Sequence, residues 1–312
     1  MRQHPKLLDE EFPEQGYREK LERFSTVLQD RLGRLDEETK WDDYFFAPLE
    51  AEVEVVESRQ LRRRKIVDLM QALKADRSSR IILVLGDPGS GKSIAPRKLA
   101  RELLKEVEKT GRVPVYVTLK EWSPGRTWSE QQPPTKEELH DFIVNTLTGY
   151  SPFVDQFMEE YFDRMLDRGR FFFLLDSFDE IPSVLDVSEG SWLIKHLSDL
   201  VTEFFVGQDA GRGLVASRFY RRPKLNTRES ATFEIRPFSD IRIHEALMRS
   251  GKLREETIEE LFANRSELVP VARNPFSAAL IRMYAENRGG ELPDNQLEMY
   301  ESYVKVQARP IC

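Results

Sequence analysis

One short segment of this chain has the residue types and spacing needed to hold a phosphate group. Residues 86–93 have the sequence GDPGSGKS, which fits the pattern G-x-x-x-x-G-K-S. Glycines allow backbone conformations closed to other residues, so that successive N–H groups can converge on phosphate oxygens. Lys92 would neutralise the β- and γ-phosphates, and Ser93 would offer its hydroxyl to Mg²⁺. The segment predicts a nucleotide-binding loop made of Gly86, Asp87, Pro88, Gly89, Ser90, Gly91, Lys92 and Ser93.

The segments on either side of this loop are the ones that its chemistry requires. Residues 80–85 are mostly apolar and have the length of a buried strand. Residues 94–107 have apolar residues at helical spacing, so the loop lies between a strand and a helix. Pro96 falls within this predicted helix, where a kink of about 3 kcal/mol is expected, or less if Pro96 is close to the first turn.

A second group of charged residues follows the most apolar strand, 170–175. ATP hydrolysis needs a carboxylate that orients the metal and a group that positions water. Asp176 ends the strand and is the predicted partner of Mg²⁺, acting through a water molecule. Asp179 or Glu180 would polarise the attacking water, and the residue types do not decide between these two. Arg218 ends the next strand and could stabilise charge on the γ-phosphate, or it could be a surface arginine in the basic run 218–222.

Composition narrows the class of protein. The chain has 312 residues, of which 40% are hydrophobic, and a net charge of −7, which argues against a general nucleic-acid binder. The only cysteine is Cys312, so no intrachain disulfide can form. The N-terminus is charged and has no apolar signal segment, and no run approaches the ~18 apolar residues of a membrane span. We therefore predict a cytoplasmic protein without membrane contact.

Periodicity predicts strands that alternate with helices, followed by helices alone. This order favours a parallel sheet with helices on both faces and a small helical domain after it. The predicted units are an N-terminal extension (1–75; helix, short strand, helix), a nucleotide-binding domain (76–237) and a helical domain (238–312). The basic run 62–65 falls in the predicted second helix, 58–75, either as a solvated face or as a contact for an acidic partner. The other predicted strands are 49–55, 113–119, 213–218 and 233–235, and the other predicted helices include 17–35, 137–147, 153–166, 192–205, 255–262 and 274–287.

Several segments together resemble one family of nucleotide-binding proteins. Residues 86–93 match a GxPGxGK[ST] loop, including its proline, and 113–119 match a "vPvlvxL" strand. Residues 170–182, RFFFLLDSFDEIP, match an apolar strand followed by D-small-h-DE-h-P, and 216–218 match a "TSR" strand with Ala216 in place of Thr. Residues 237–239, 274–276 and 292–293 match the helical part that follows. Over about 80–312 the chain is similar to the NACHT-type NTPases of the STAND class of signalling ATPases.

The resemblance implies an α/β P-loop NTPase fold, with a parallel sheet between helices, a small C-terminal helical domain and a short N-terminal extension. It implies a switch that holds ATP or ADP with Mg²⁺ between the sheet and the helical domain, hydrolyses ATP slowly, and changes shape or self-associates when a partner activates it. The family's proline in the helical domain packs on adenine, which makes Pro275 the candidate for that contact. The alternative role for Pro275 is an ordinary helix-initiating proline.

The chain also departs from the family pattern. Typical members continue into a winged-helix domain and then into sensor repeats, so we expect either a fragment of a longer protein or a chain that works with separate sensor and effector chains. Ser177 stands where the family usually has glycine. Two alternatives to the switch are a turnover enzyme (an AAA+ motor or a P-loop kinase) and a nucleotide-dependent scaffold with negligible hydrolysis. The preference for adenine over guanine depends on the resemblance alone.

Overall fold

One mixed sheet organises the part of the chain that the computed structural model describes, which is residues 11–39, 47–57, 60–122, 125–149, 151–206, 211–225 and 230–307. Cys312 and the charged N-terminus lie outside these residues. The strands are β1 (Ala51–Glu57), β2 (Gln60–Ile66), β3 (Ile81–Leu85), β4 (Val113–Thr118), β5 (Phe171–Asp176), β6 (Arg212–Ser217) and β7 (Ser230–Ile235). Their order in the sheet is β2-β1-β7-β3-β6-β5-β4.

Helices flank the sheet and then continue beyond it. The helices are α1 (Tyr17–Glu38), α2 (Leu69–Ala75), α3 (Ile94–Leu104), α4 (Val107–Thr110), α5 (Lys136–Leu147), α6 (Pro152–Asp167), α7 (Pro182–Leu185), α8 (Trp192–Val206), α9 (Asp240–Met248), α10 (Glu255–Asn264), α11 (Val269–Ala272), α12 (Pro275–Asn287) and α13 (Gln296–Gln307). This arrangement confirms the predicted α/β class. No helix among the described residues has the length and apolar composition needed to cross a membrane.

The order of the parallel strands decides which residues meet. Strands β7, β3, β6, β5 and β4 run parallel to one another, whereas β1 pairs antiparallel with both β7 and β2. All residues of β3 and β5 are buried, as expected for strands covered on both faces. Because β6 lies between β3 and β5 and parallel strands end at the same edge, the residues that follow these three strands come together.

The predicted helix over 58–75 is wrong in its first half. The structure places strand β2 there, and the helical segment begins only at Leu69, where the Asp68 side chain accepts from the Gln71 N–H as its N-cap. In β2, Lys65 lies opposite Glu52 and Arg63 opposite Glu54, so pairs of opposite charge support the ladder. These pairs come from another strand, and local periodicity cannot show them. Ser58 and the side chain of Arg62 lie outside the described residues.

The position of Pro96 in the helix largely avoids the predicted free-energy cost of a kink. Helix α3 begins at Ile94, which places Pro96 in its first turn. The N–H groups of the first turn have no partner within the helix, so the missing N–H of proline removes no bond from the interior of the helix. Pro96 therefore fits α3 without the kink expected of an interior proline.

The N-terminal helix α1 packs against α6 and against one edge of the sheet. In α1, Phe24 stacks on Phe157 of α6 with ring centroids 4.4 Å apart. Leu28, Leu32 and Leu35 of α1 line a small cavity together with Pro114 and Tyr116 of β4, so α1 lies next to the outermost strand of the sheet.

The later helices begin and end at ordinary signals. The Ser239 side chain accepts from the Arg242 N–H at the start of α9, and the positive φ of Gly251, 67°, follows the end of that helix. The Asn274 side chain accepts from the N–H groups of Phe276 and Ser277, which caps α12.

Candidate nucleotide-binding site

The predicted phosphate loop lies between β3 and α3. Gly89 and Gly91 have φ values of 76° and 89°, in the left-handed region that favours glycine. The Gly86 N–H donates to the Ser217 carbonyl at 3.3 Å, which joins the start of the loop to the end of β6. Asp87 is exposed, and its carbonyl accepts from the Ser90 N–H at 3.1 Å, which closes a tight turn within the loop.

The loop holds polar groups that suit an anionic ligand. Lys92 is only 7% exposed, and it makes no ion pair within the described part of the chain. The Ser90 hydroxyl is buried and has no hydrogen-bond partner among those same residues. A buried ammonium that makes no ion pair is costly unless an anion binds it. A phosphate held by this loop would meet that requirement.

A cavity of about 240 Å³ lies beside the loop. The loop contributes Gly89, Gly91, Lys92 and Ser93 to its wall, and the first helix after the loop contributes Ile94 and Arg97. The remaining lining residues come from two distant parts of the chain: Thr39, Ala47 and Leu49 before the loop, and Pro275 and Phe276 at the start of α12. The site is therefore enclosed by three separate segments.

Asp176 lies next to Ser93 at the end of β5. The Ser93 hydroxyl donates to Asp176 Oδ1 at 3.2 Å, and the Tyr116 hydroxyl donates to Asp176 Oδ2 at 2.8 Å. Burial raises the pKa of Asp176, which is 2% exposed, while the two hydroxyl donors and the nearby Lys92 oppose that shift. Burial and the neighbouring carboxylate also raise the pKa of Tyr116, which keeps its proton as the donor.

The residues around Ser93 fit a magnesium ion shared with nucleotide phosphates. Among the described residues, no cluster of three or more His, Cys, Asp or Glu could hold a metal. Mg²⁺ often binds through one or two protein oxygens together with phosphate oxygens and water. Ser93, which lines the cavity, and Asp176, which accepts from the Ser93 hydroxyl, supply such oxygens, so the donor set fits the predicted ion.

The other predicted catalytic residues form one ion-paired group at the end of β6. Asp179 is buried, and its Oδ1 accepts from the Arg218 N–H at 2.8 Å and from the Ser217 hydroxyl at 3.3 Å. Its Oδ2 lies 3.3 Å from Arg218 Nε. The Arg218 guanidinium also pairs with Glu180, which is more exposed than Asp179. In this arrangement both carboxylates are engaged by one cation.

The segment 274–276 contacts the loop directly. Asn274 Nδ2 donates to the Pro88 carbonyl at 2.9 Å, and the Phe276 N–H donates to the Gly89 carbonyl at 3.1 Å. A Cβ at Gly89 would lie 2.7 Å from Asn274 Oδ1, so only glycine permits this approach. Pro275 is at the first turn of α12 and lines the cavity, so its place suits both helix initiation and ligand contact.

The structure brings Pro275 and four residues of the predicted loop around one cavity: Gly89, Gly91, Lys92 and Ser93. Asp176 is hydrogen-bonded to Ser93 of that loop, and Arg218 with its two carboxylates lies at the end of the neighbouring strand. Sequence reasoning missed Tyr116, Arg97 and the loop contact of Asn274. A tyrosine near the end of a strand parallel to β5 is a weak signal that could have indicated Tyr116. Nothing local pointed to Arg97 or to the Asn274–Pro88 bond, since both depend on contacts between distant segments.

A sheet whose central strands are parallel, a strand–loop–helix with this phosphate-binding geometry and an acidic residue two strands away define a P-loop NTPase. The sequence model of the NACHT domain family matches residues 80–253 of this chain. The chain therefore belongs to the NACHT family.

Other comparisons add little to this assignment. No curated protein matches the chain. One matching solved structure is a Signal Transduction ATPase with Numerous Domains (STAND) protein with a tetratricopeptide repeat sensor from Pyrococcus horikoshii. It is 12% identical, with a TM-score of 0.38, over 78% of this chain and 33% of that protein. The chain thus spans about a third of that protein's length.

Proposed function

We propose that this chain is an ATP- or ADP-binding, Mg²⁺-dependent signalling NTPase that acts as a conformational switch in the cytoplasm and hydrolyses ATP slowly. The observation that carries the proposal is the contact of Asn274 and Phe276 with the carbonyls of Pro88 and Gly89. It places the start of the C-terminal helices on the phosphate loop, so that a nucleotide in the cavity touches both. We extend the proposal to self-association or binding of a protein partner on activation.

A ligand shifts a conformational equilibrium only if it binds the two conformations differently. The cavity wall formed by Pro275 and Phe276 would move away from the loop if the C-terminal helices rotated. A nucleotide that contacts this wall would therefore favour the closed arrangement. We assign the base contact to Pro275, in keeping with the family resemblance.

The ion pairs of Arg218 support slow hydrolysis. A carboxylate that is paired with a guanidinium is a poor group for polarising water, and an Arg218 paired with two carboxylates has less charge to offer a phosphate. Hydrolysis requires Arg218 to leave both carboxylates. We assign the water to Glu180, since it is the more exposed of the two carboxylates, and a supporting role to Asp179, which also accepts from the backbone N–H of Arg218.

The residues at the metal side have distinct roles in this proposal. Mg²⁺, when bound, would supply positive charge that neutralises the phosphates. We assign the Ser93 hydroxyl as a ligand of the ion and Asp176 as the acceptor from a metal-bound water, since the two side chains are hydrogen-bonded to each other. Lys92 would hold the phosphates from the loop side.

Binding of a fluorescent ADP analogue, measured with Lys92→Ala and Lys105→Ala, tests the nucleotide site. Both variants remove one positive charge, but Lys105 is an exposed residue at the end of α3 and away from the cavity. Lys92→Ala should abolish binding, and Lys105→Ala should bind as the wild type does. Equal binding by both variants would contradict the assigned site.

ATP turnover and small-angle scattering test the switch. The wild type should hydrolyse ATP far more slowly than the ~10 s⁻¹ of a typical enzyme and should scatter differently with ADP and with a non-hydrolysable ATP analogue. Asn274→Ser keeps a helix cap but lacks the side-chain amide that donates to the Pro88 carbonyl. In this variant the difference in scattering between the two nucleotides should shrink, while nucleotide binding persists. Fast turnover without a partner would instead indicate a turnover enzyme.

A further inference from the structure

The end of α1 is joined to the helix after the phosphate loop by a buried group of charges. Asp36 of α1 is 6% exposed; its Oδ1 lies 2.9 Å from Arg97 Nη1, and its Oδ2 pairs with Arg101. The two arginines of α3 also donate to the carbonyls of Leu35 and Leu32, at 3.3 and 3.1 Å. They supply positive charge at the carboxyl end of α1, whose own last turn has no basic residue.

The same Arg97 side chain forms part of the nucleotide cavity. Arg97 lies one helical turn after Ser93, and its Nε donates to the Ser93 carbonyl at 3.4 Å. Its Nη1 donates to Thr39 Oγ1 at 3.1 Å, and Thr39, which directly follows α1, lines the cavity as well. A ligand in the cavity therefore meets a side chain that α1 holds in place.

The physical consequence is a coupling between ligand and helix. A ligand that contacts walls from two elements stabilises the arrangement in which those elements are together. The coupling is reciprocal, so docking of α1 must strengthen ligand binding by the same factor. A buried carboxylate between two guanidiniums is sensitive to the loss of any member, which makes Asp36 the point at which this coupling can be broken.

We propose that Asp36 is a positioning residue that holds Arg97 at the cavity and thereby couples bound nucleotide to the docking of α1. The proposal rests on the proposed function, since it takes the nucleotide as the ligand of this cavity. It gives the N-terminal helix a role as the element whose docking follows nucleotide occupancy.

Hydrogen exchange of the full chain, with and without ADP and Mg²⁺, tests the coupling. In the wild type, ADP should slow exchange about tenfold in the last two turns of α1 as well as in α3. In Asp36→Asn, ADP should still slow exchange in α3 but no longer in α1. By reciprocity, Asp36→Asn should weaken ADP binding by the same factor of about ten.

Lys20→Met is the matched control, because it removes a different ion pair of α1, that of Lys20 with Glu160 at 2.9 Å, which is far from the cavity lining. This variant should raise exchange in α1 equally with and without ADP and leave ADP affinity unchanged. A merely structural role for Asp36 would make Asp36→Asn behave in the same way. If Asp36→Asn does not fold, Thr39→Val removes the exposed hydroxyl that accepts from Arg97 and should reduce the ADP effect on α1.

The outcomes separate this inference from the function on which it rests. Slower exchange in α3 but not in α1 of the wild type would overturn the coupling and leave nucleotide binding intact. An ADP effect on α1 that survives in both Asp36→Asn and Thr39→Val would also overturn it. No change in either helix would overturn the proposed function together with the inference.

Discussion

Removal of the Tyr116 hydroxyl should weaken the binding of Mg²⁺ to the complex of the protein with its nucleotide. The hydroxyl donates to Asp176 Oδ2 at 2.8 Å, and Asp176 is 2% exposed. The Ser93 hydroxyl donates to the other oxygen, Oδ1, so Tyr116 is the donor that orients the Oδ2 side of the carboxylate. A hydrogen bond to a charged group contributes about 1.5–3 kcal/mol, and each 1.4 kcal/mol is a factor of about ten in binding. Tyr116→Phe should therefore raise the half-saturating Mg²⁺ concentration at least about tenfold.

The assay is the fluorescence of a bound ADP analogue during a Mg²⁺ titration, with a second titration in EDTA. Binding without metal should be the same in Tyr116→Phe and the wild type, since phenylalanine keeps the ring and its packing. Tyr284→Phe is the control, because it removes a hydroxyl that donates to the carboxylate of Glu298 in the C-terminal helices. It should leave the Mg²⁺ titration unchanged.

Equal half-saturation in Tyr116→Phe and the wild type would refute the role assigned to Tyr116. Equal shifts in Tyr116→Phe and Tyr284→Phe would point to a general loss of stability instead. Urea unfolding of both variants distinguishes that case, since a loss of stability lowers the unfolding midpoint.

Two further predictions concern stability. Burial opposes ionisation of Asp76, but hydrogen bonds from Ser79 and Ser78 and the charge of Arg212 lower its pKa. The ionised Asp76 therefore stabilises the folded protein above the ordinary carboxyl pKa of about 3.9. This stabilisation is lost as the pH falls through the lower pKa of the folded state. Asp76→Asn should thus cost about 2 kcal/mol in urea unfolding at pH 7 and progressively less below pH ~4, and a cost independent of pH would contradict this. Ser177 has a left-handed φ of 63°, and the backbone strain at such a residue comes from its Cβ. Ser177→Gly should therefore be about 1 kcal/mol more stable than Ser177→Ala. Equal stabilities of the two variants in thermal unfolding would show that Ser177 is not strained.

The fold class was predictable because the sheet depends on local signals. Strands β3 and β5 are continuous apolar runs of strand length, and buried parallel strands require such runs. The failure at β2 has the opposite origin. Its basic residues have no strand pattern of their own, and their pairing with Glu52 and Glu54 decides the structure. Tertiary pairing can override a local preference of a few tenths of a kcal/mol per residue.

Part of the site was equally local. The loop at 86–93 is contiguous, and its neighbours on both sides carry the strand and helix patterns that it needs. Asp176 could be placed beside Ser93 because Asp176 ends β5, Ser93 ends the loop that follows β3, and parallel strands end at the same edge of the sheet. The catalytic roles of Asp179, Glu180 and Arg218 and the base contact of Pro275 stay predictions, although the structure shows what each of them contacts.

By itself, the sequence determined that this chain carries a phosphate-binding loop on an α/β fold of the NACHT type, since those signals lie within short stretches of chain. Only the tertiary structure decided what surrounds the loop. The bonds of Tyr116 to Asp176, of Arg97 to the end of α1 and of Asn274 to Pro88 join residues that lie about 60 or more positions apart. Such contacts depend on how elements pack rather than on the pattern within any one of them. The residues that connect the phosphate loop and its surroundings to the rest of the protein therefore became visible only in the folded chain.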